Sequence, residues 1–154
     1  VQGSIPESKL GLCENTAVDS VAGYFAMRYK ECGIPVTFAL DLPPQLPAPE
    51  TDLCSVLSNL LENAMEAGMK TAPERRRAKV AAHLHSGHMV LLSVENTYDG
   101  KVREKDGVFL SSKRPGEGVG LQAVRHSAEK NGGYVRFHYG DGAFTANVIL
   151  RGGK

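Results

Sequence analysis

Three things are scarce in this chain, and each scarcity closes a class of explanations. Cysteine appears only as Cys13, Cys32 and Cys54. No two of them form a CxxC, so their spacing speaks against a zinc site. Odd in number and scattered, they read as small hydrophobes within or beside amphipathic helices, which suits a reducing compartment. Net charge is almost nil, because 18 basic and 17 acidic residues leave +1. A general nucleic-acid or polyanion binder would carry a strong basic excess. Long apolar runs and a signal-peptide pattern are also missing, so neither a membrane span nor a secretory leader is expected. There is no GxxxxGK[ST], which removes the P-loop reading. The chain opens on Val1 and not on Met, and reads as a cytoplasmic piece of something longer.

What is present suits one domain. The 154 residues are 42% hydrophobic, enough to bury a core. No internal repeat or linker divides them, so residues 1–154 are expected to form a single unit with its core at about 13–150. Residues 14–32 read as a helix, with Val18, Val21, Ala22, Phe25, Tyr29 and Cys32 at helical spacing and Gly33 stopping it. Ile34–Leu40 alternates like a strand. Pro43, Pro44, Pro47 and Pro49 stiffen the connection to a second helix, capped by Thr51 or Asp52 and ended near Ala67 by Gly68. "TAPERRRAK" reads as a solvated basic loop.

Lys79–His85 alternates as a strand, Ser86-Gly87 is a two-residue turn candidate, and Met89–Glu95 is apolar enough for a buried central strand. From Thr97 to Glu117 the chain is polar and Gly-rich. A loop of this length suggests a lid or binding loop. A helix then runs to about Asn131, Gly132-Gly133 ends it, and Tyr134–Tyr139 with Phe144–Leu150 form a closing hairpin. The expected fold is a two-layer α/β (α+β) sandwich. Its sheet is mixed and largely antiparallel, with three helices on one face.

Within the second helix, "CSVLSNLLENAMEAG" divides cleanly. Leu53, Val56, Leu57, Leu60, Leu61 and Ala64 fall on one side, and Asn59, Glu62, Asn63 and Glu66 on the other. Two asparagines at i and i+4 do little for a helix. Their neutral carbonyl oxygens, however, suit a hard cation such as Mg²⁺ beside phosphates. "SVENTYDG" ends the central strand on Asn96, whose amide could read a base amino group. "RPGEGVGLQAV" places Gly116, Gly118 and Gly120 ahead of a helix, with Lys113 and Arg114 beside them. Backbone N–H groups, a helix N-terminus and a cation together suit a phosphate. The glycines follow a loop and lack the GxGxxG spacing, so a dinucleotide-binding reading is weak.

Together these residues resemble the ATP-binding domain of the GHKL superfamily, which includes DNA gyrase, histidine kinases and MutL. "NLLENAMEA" (59–67) looks like the histidine-kinase N box and "GEGVGL" (116–121) like the G2 box. The usual DxGxG, whose Asp binds the adenine amino group, is replaced here by Asn96 without the paired glycines. That substitution, with the opening "CENTAVDSVAGYFAMRYKECGI", resembles the sensor kinases of peptide quorum sensing. The resemblance implies a Bergerat fold that binds ATP and Mg²⁺. Asn63 would hold the metal, Asn59 would add a metal or phosphate contact, and Asn96 would read adenine. Gly116, Gly118 and Gly120 would let the lid wrap the phosphates, Lys113 would reach the γ-phosphate, and Val119 and Leu121 would line the adenine side. Asn63 and Lys113 would thus be the catalytic pair.

The implied partners are the upstream dimerisation and phosphoacceptor helices of the same kinase and, indirectly, a response regulator. His83, His85, His88, His126 and His138 do not follow the acceptor context and read as surface or sheet-facing residues. Two other readings stay open: a serine kinase of the anti-sigma-factor type, and a nucleotide-sensing interaction module without kinase activity.

Overall fold

Asn15 starts the first helix. The computed structural model describes residues 11–100, 104–105, 108–109 and 119–151. The Asn15 Oδ1 accepts from the Val18 N–H at 2.9 Å and caps α1, Thr16–Glu31, satisfying a backbone donor that the helix itself leaves open. Its Nδ2 donates to the Pro44 carbonyl at 2.9 Å and to Glu50 Oε2 at 2.7 Å, which ties this cap to the next helix. α1 ends in a Schellman turn: Gly33 sits at φ +71°, its N–H donates to the Lys30 carbonyl, and the Ile34 N–H donates to that of Tyr29. That turn takes Ile34 out of the expected strand. β1 is Val36–Asp41, and Ile34 is buried against the helices.

α2 spans Glu50–Met69 and corrects two expectations. Its N-cap is Pro49, with no side-chain cap bond. Asp52 is occupied elsewhere, and Thr51 is exposed. Gly68 does not end the helix. It is buried inside it, where a Cβ would come within 2.8 Å of Ile34 Cδ1. Here the missing side chain serves close packing, not termination. A 3-10 turn, Pro73–Arg75, follows. Arg76 then leaves the expected solvated loop. Its Nε donates to the Thr71 carbonyl at 3.0 Å and its Nη1 to the Cys32 carbonyl at 3.3 Å. One guanidinium thus serves the carbonyl-rich ends of α1 and α2.

β2, Ala78–His85, and β3, Met89–Thr97, form a hairpin closed by three residues, not two, since His85 pairs with Met89. β4, Glu104–Lys105, and β5, Val108–Phe109, pair antiparallel as a small separate ribbon. Strands of two residues leave no period to read in a sequence, so none was expected there. The remainder of the expected lid lies outside the described residues. α3, Val119–Lys130, ends in a second Schellman turn at Gly132 (φ +73°). β6, Tyr134–Gly140, and β7, Ala143–Arg151, follow, joined by Asp141-Gly142, both at positive φ as a tight hairpin turn requires.

The main sheet has the order β1-β2-β3-β7-β6, with β1 parallel to β2 and every other pairing antiparallel. This is the expected mixed, largely antiparallel sheet. Its inner rows, such as Val80 and Ala82, Val90, Leu92 and Val94, and Ala146, Val148 and Leu150, are buried. Three helices cover that face, with α2 packed between α1 and α3 and against β3. The opposite face carries exposed Lys79, Ala81 and His83. All five histidines are exposed, as expected. The three thiols are free and half-buried, and burial raises those of Cys13 and Cys54. Among the described residues no helix is long and apolar enough to cross a membrane.

Two polar contacts hold α2 in place. The fully buried Tyr29 hydroxyl donates to the Leu61 carbonyl at 2.6 Å, joining α1 to the middle of α2. Burial pushes its phenol far up, so it remains a donor. Near the α2 N-terminus, Asn131 Nδ2 donates to Asp52 Oδ2 at 3.0 Å and Lys130 to Oδ1 at 3.2 Å. The Asn131 bond and then the Lys130 charge hold the Asp52 carboxyl below its ordinary value. Tyr29→Phe removes a bond from a carbonyl that already serves the helix, so it is expected to cost about 1 kcal/mol in chemical denaturation. A loss well below that range would mean that the hydroxyl adds nothing.

Asp52 sets a pH dependence. A lowered folded pKa stabilises above the unfolded value of 3.8 and ceases to do so as pH falls through the folded one. Asp52→Asn is therefore expected to melt below the parent at pH 7, and the gap should close only as the pH falls below 3.8 through the lowered folded value. A gap constant with pH would show that ionisation is not what Asp52 contributes.

Candidate functional site

α2 is buried on the sides that meet α1, β3 and α3, where Leu53, Val56, Leu57, Leu60, Leu61, Ala64 and Met65 lie. One strip is left partly open, and it holds Asn59, Glu62, Asn63 and Glu66. This is the division expected from the sequence. Asn59 Nδ2 donates back to the Ser55 carbonyl at 2.9 Å, which commits the amino end of the amide to its own helix. The Oδ1 is directed at the start of α3, because a Cβ on Gly120 would lie 3.2 Å from it. The structure thus brings together two of the expected site residues from distant parts of the chain. Asn63, one turn on, has no hydrogen-bond partner among the described residues. Glu62 is drawn toward α1 by Arg28 at 3.5 Å, an exposed pair of small energetic weight.

Asn96 stands at the end of the inner row of β3, after Val90, Leu92 and Val94, and is 4% exposed. Its register partners are Ala78 on β2 and Phe144 on β7. The Nδ2 donates to the Thr97 carbonyl at 2.9 Å. Among the described residues no donor reaches its Oδ1. A buried acceptor without a donor is costly, and native structures rarely keep one without a use. Beside it lies an aromatic group: Phe144 packs edge-on to Tyr98 and stacks with Tyr139 at 6.0 Å. Leu121, on the first turn of α3, is buried in the same layer.

The remaining expected residues divide as follows. Val119 is the first residue of α3, and its side chain lies outside the described residues. Lys113, Gly116 and Gly118 lie outside them altogether. Thr97 and the aromatic group around Phe144 were not anticipated as part of the site. Thr97 acts through its backbone carbonyl, which no residue type advertises. The aromatics were legible only as alternating strand residues.

The family model described as GHKL domain matches residues 50–151, from the first residue of α2 to the last of β7. No curated protein matches the sequence. Among solved structures, the nucleotide-free catalytic domain of the histidine kinase ThkA superposes with a TM-score of 0.68 at 22% identity, over 90% of this chain and 91% of that one. The mycobacterial sensor histidine kinase MprB gives 0.61 at 20%, over 88% and 93%. The histidine kinase AdeS of Acinetobacter baumannii gives 0.64 at 18%, over 90% of this chain and 64% of that one. At these identities the likeness establishes the fold.

Gly120→Ala tests the meeting of α2 and α3. A Cβ at that distance forces the Asn59 amide to move by a few tenths of an ångström, while alanine favours the helix. The variant is expected to melt at or slightly above the parent temperature and to shift the Asn59 side-chain amide resonances in a ¹H–¹⁵N spectrum. Unmoved resonances would mean that α3 starts elsewhere.

Proposed function

The chain belongs to the GHKL domain family, and on that footing we propose that it is the ATP-binding catalytic domain of a two-component sensor histidine kinase. The observation that carries this reading is the buried Oδ1 of Asn96 at the end of the central strand, which no donor among the described residues reaches. It is an acceptor of the kind an adenine amino group requires, and the aromatic group around Phe144 gives that end of the sheet an apolar wall.

The donor set fits a nucleotide with its metal. Asn63 would hold Mg²⁺ through a neutral oxygen, and Asn59 would supply a second metal or phosphate contact. Gly120 keeps the start of α3 free of a side chain next to Asn59, where backbone N–H groups suit a phosphate. Gly116 and Gly118 would extend that approach, Lys113 would reach the γ-phosphate, and Val119 and Leu121 would line the adenine side. Bound Mg²⁺ supplies charge neutralisation for phosphoryl transfer. The chain itself contributes positioning and electrostatic stabilisation, which is where most of the catalysis in such reactions lies.

The acceptor histidine belongs to dimerisation helices upstream in the same longer, cytoplasmically exposed kinase, with a response regulator as the eventual recipient. The Asn in place of the usual Asp, and the opening "CEN", favour the peptide quorum-sensing type. A single unit over residues 1–154 would then be the donor half of that kinase.

Thermal unfolding with ATP, ADP and GTP, each with and without Mg²⁺, tests the proposal. A ligand of the folded state raises the Tm with concentration. The expected result is a Mg²⁺-dependent, adenine-selective rise that Asn63→Ala abolishes or cuts to a small fraction. No rise with any nucleotide at millimolar concentration would sink the reading and leave an interaction module in its place.

A further inference from the structure

An asparagine amide is two-sided. Its Oδ1 accepts and its Nδ2 donates, and a half-turn about Cβ–Cγ exchanges them. Alone, such a group has no preference between a purine with an amino group and one with a carbonyl at the same ring position. We propose that Thr97 removes this freedom from Asn96, so that the site presents an acceptor only and selects 6-aminopurine over 6-oxopurine nucleotides. The inference rests on Asn96 being the base reader.

The geometry is a chain of fixed groups. Asn96 Nδ2 donates to the Thr97 carbonyl at 2.9 Å. The residue that carries this carbonyl is held through the peptide planes on both of its sides. The Thr97 N–H donates to the Arg77 carbonyl at 3.1 Å, just before the start of β2, and the Tyr98 N–H donates to the Gly142 carbonyl at 3.2 Å in the β6–β7 turn. The Thr97 hydroxyl adds a second grip on the same residue. It accepts from the Arg77 N–H at 3.1 Å and donates to the Arg77 carbonyl at 3.4 Å. Thr97 is 7% exposed.

Turning the Asn96 amide over would set Oδ1 against a carbonyl oxygen that cannot retreat, in a place shielded from water. Two acceptors would face each other and one bond would be lost. The ligand therefore meets Oδ1 alone. A 6-amino group donates to it, whereas a 6-oxo group opposes lone pair to lone pair. An ionised Asp is acceptor-only by its chemistry, and here a backbone carbonyl makes an Asn so.

Dissociation constants for Mg·ATP, Mg·ITP and Mg·GTP on the full chain, by calorimetry, test this. ITP differs from ATP at the ring position in question. The expected result is ITP binding at least about tenfold more weakly than ATP, the size of one buried mismatch. Thr97→Val, which removes the hydroxyl grip of Thr97 on Arg77 and loosens the residue that carries the carbonyl, should narrow that ratio. Thr97→Ser, which keeps the hydroxyl, should preserve it. Equal affinity for ATP and ITP in the parent overturns the proposal on its own, even if Thr97→Val fails to fold. A ratio unchanged in a folded Thr97→Val overturns the role of Thr97. Binding of no nucleotide at all overturns instead the reading of Asn96 on which both stand.

Discussion

A helix buried on three sides has one strip left over, and in this protein that strip carries Asn59 and Asn63. α2 meets α1, β3 and α3 at once, so its rotation about its own axis is fixed by all three neighbours. Its buried leucines are each worth roughly 2 kcal/mol against exposure. A rotation of α2 by one residue, about 100°, would bury the asparagines and expose leucines, a loss of several such increments. The polar strip is therefore aimed by the core, not by its own contacts. This is why Asn63 can stand without a partner among the described residues and still have a defined direction.

Asn96 is aimed in a different way but by the same means. β3 pairs with β2 through Asn96 and with β7 through Thr97. Side chains alternate along a strand, so a slip of one residue would send Val90, Leu92 and Val94 to the open face and turn Asn96 away from the helices. The register that buries three apolar side chains also buries one polar one. The cost of burying Asn96 is offset by its neighbours' burial and by the bond to Thr97. The same sheet brings Gly133 so close to β7 that a Cβ there would lie 1.7 Å from the Ile149 carbonyl oxygen. No side chain fits between α3 and β6, and the end of α3 is fixed along with its beginning at Gly120.

What could be read in the sequence follows this logic. Period and apolar runs depend on burial, and burial orders α2 and β3, so both elements, the face of Asn59 and Asn63 and the place of Asn96 at the end of its strand were legible. The misses depend on relations that residue types do not carry. A glycine that stops a helix and one that lets it pass Ile34 closely look alike, which hid the role of Gly68. Arg76 looks like Arg75 and Arg77, yet it alone reaches the ends of both α1 and α2. Asp52 looked like a cap because it precedes an apolar run, but its partners, Lys130 and Asn131, lie at the other end of the chain. The carbonyl of Thr97 has no letter of its own. Lys113, Gly116 and Gly118 lie outside the described residues, and their roles rest on the motif.

One choice of chemistry runs through the whole site as read. Asn59, Asn63 and Asn96 are all amides where carboxylates could have stood. A nucleoside triphosphate is strongly negative, and each carboxylate facing it would add repulsion on top of whatever the metal neutralises. Neutral oxygens ligate a hard cation without adding that charge. Three of the carboxylates of α2 are held by contacts elsewhere: Glu50 toward Asn15, Glu62 toward Arg28 and Asp52 toward Lys130 and Asn131. An amide has its own drawback, because it can present either end. Asn59 is settled by its bond to the Ser55 carbonyl and Asn96 by its bond to the Thr97 carbonyl. In both, a backbone oxygen takes the amino end, which on the proposed reading leaves the oxygen for the ligand. Asn63 has no such carbonyl among the described residues. On the proposed reading, a cation met by an oxygen would orient it by itself, so the amide without such a carbonyl would be the one whose ligand supplies the missing constraint.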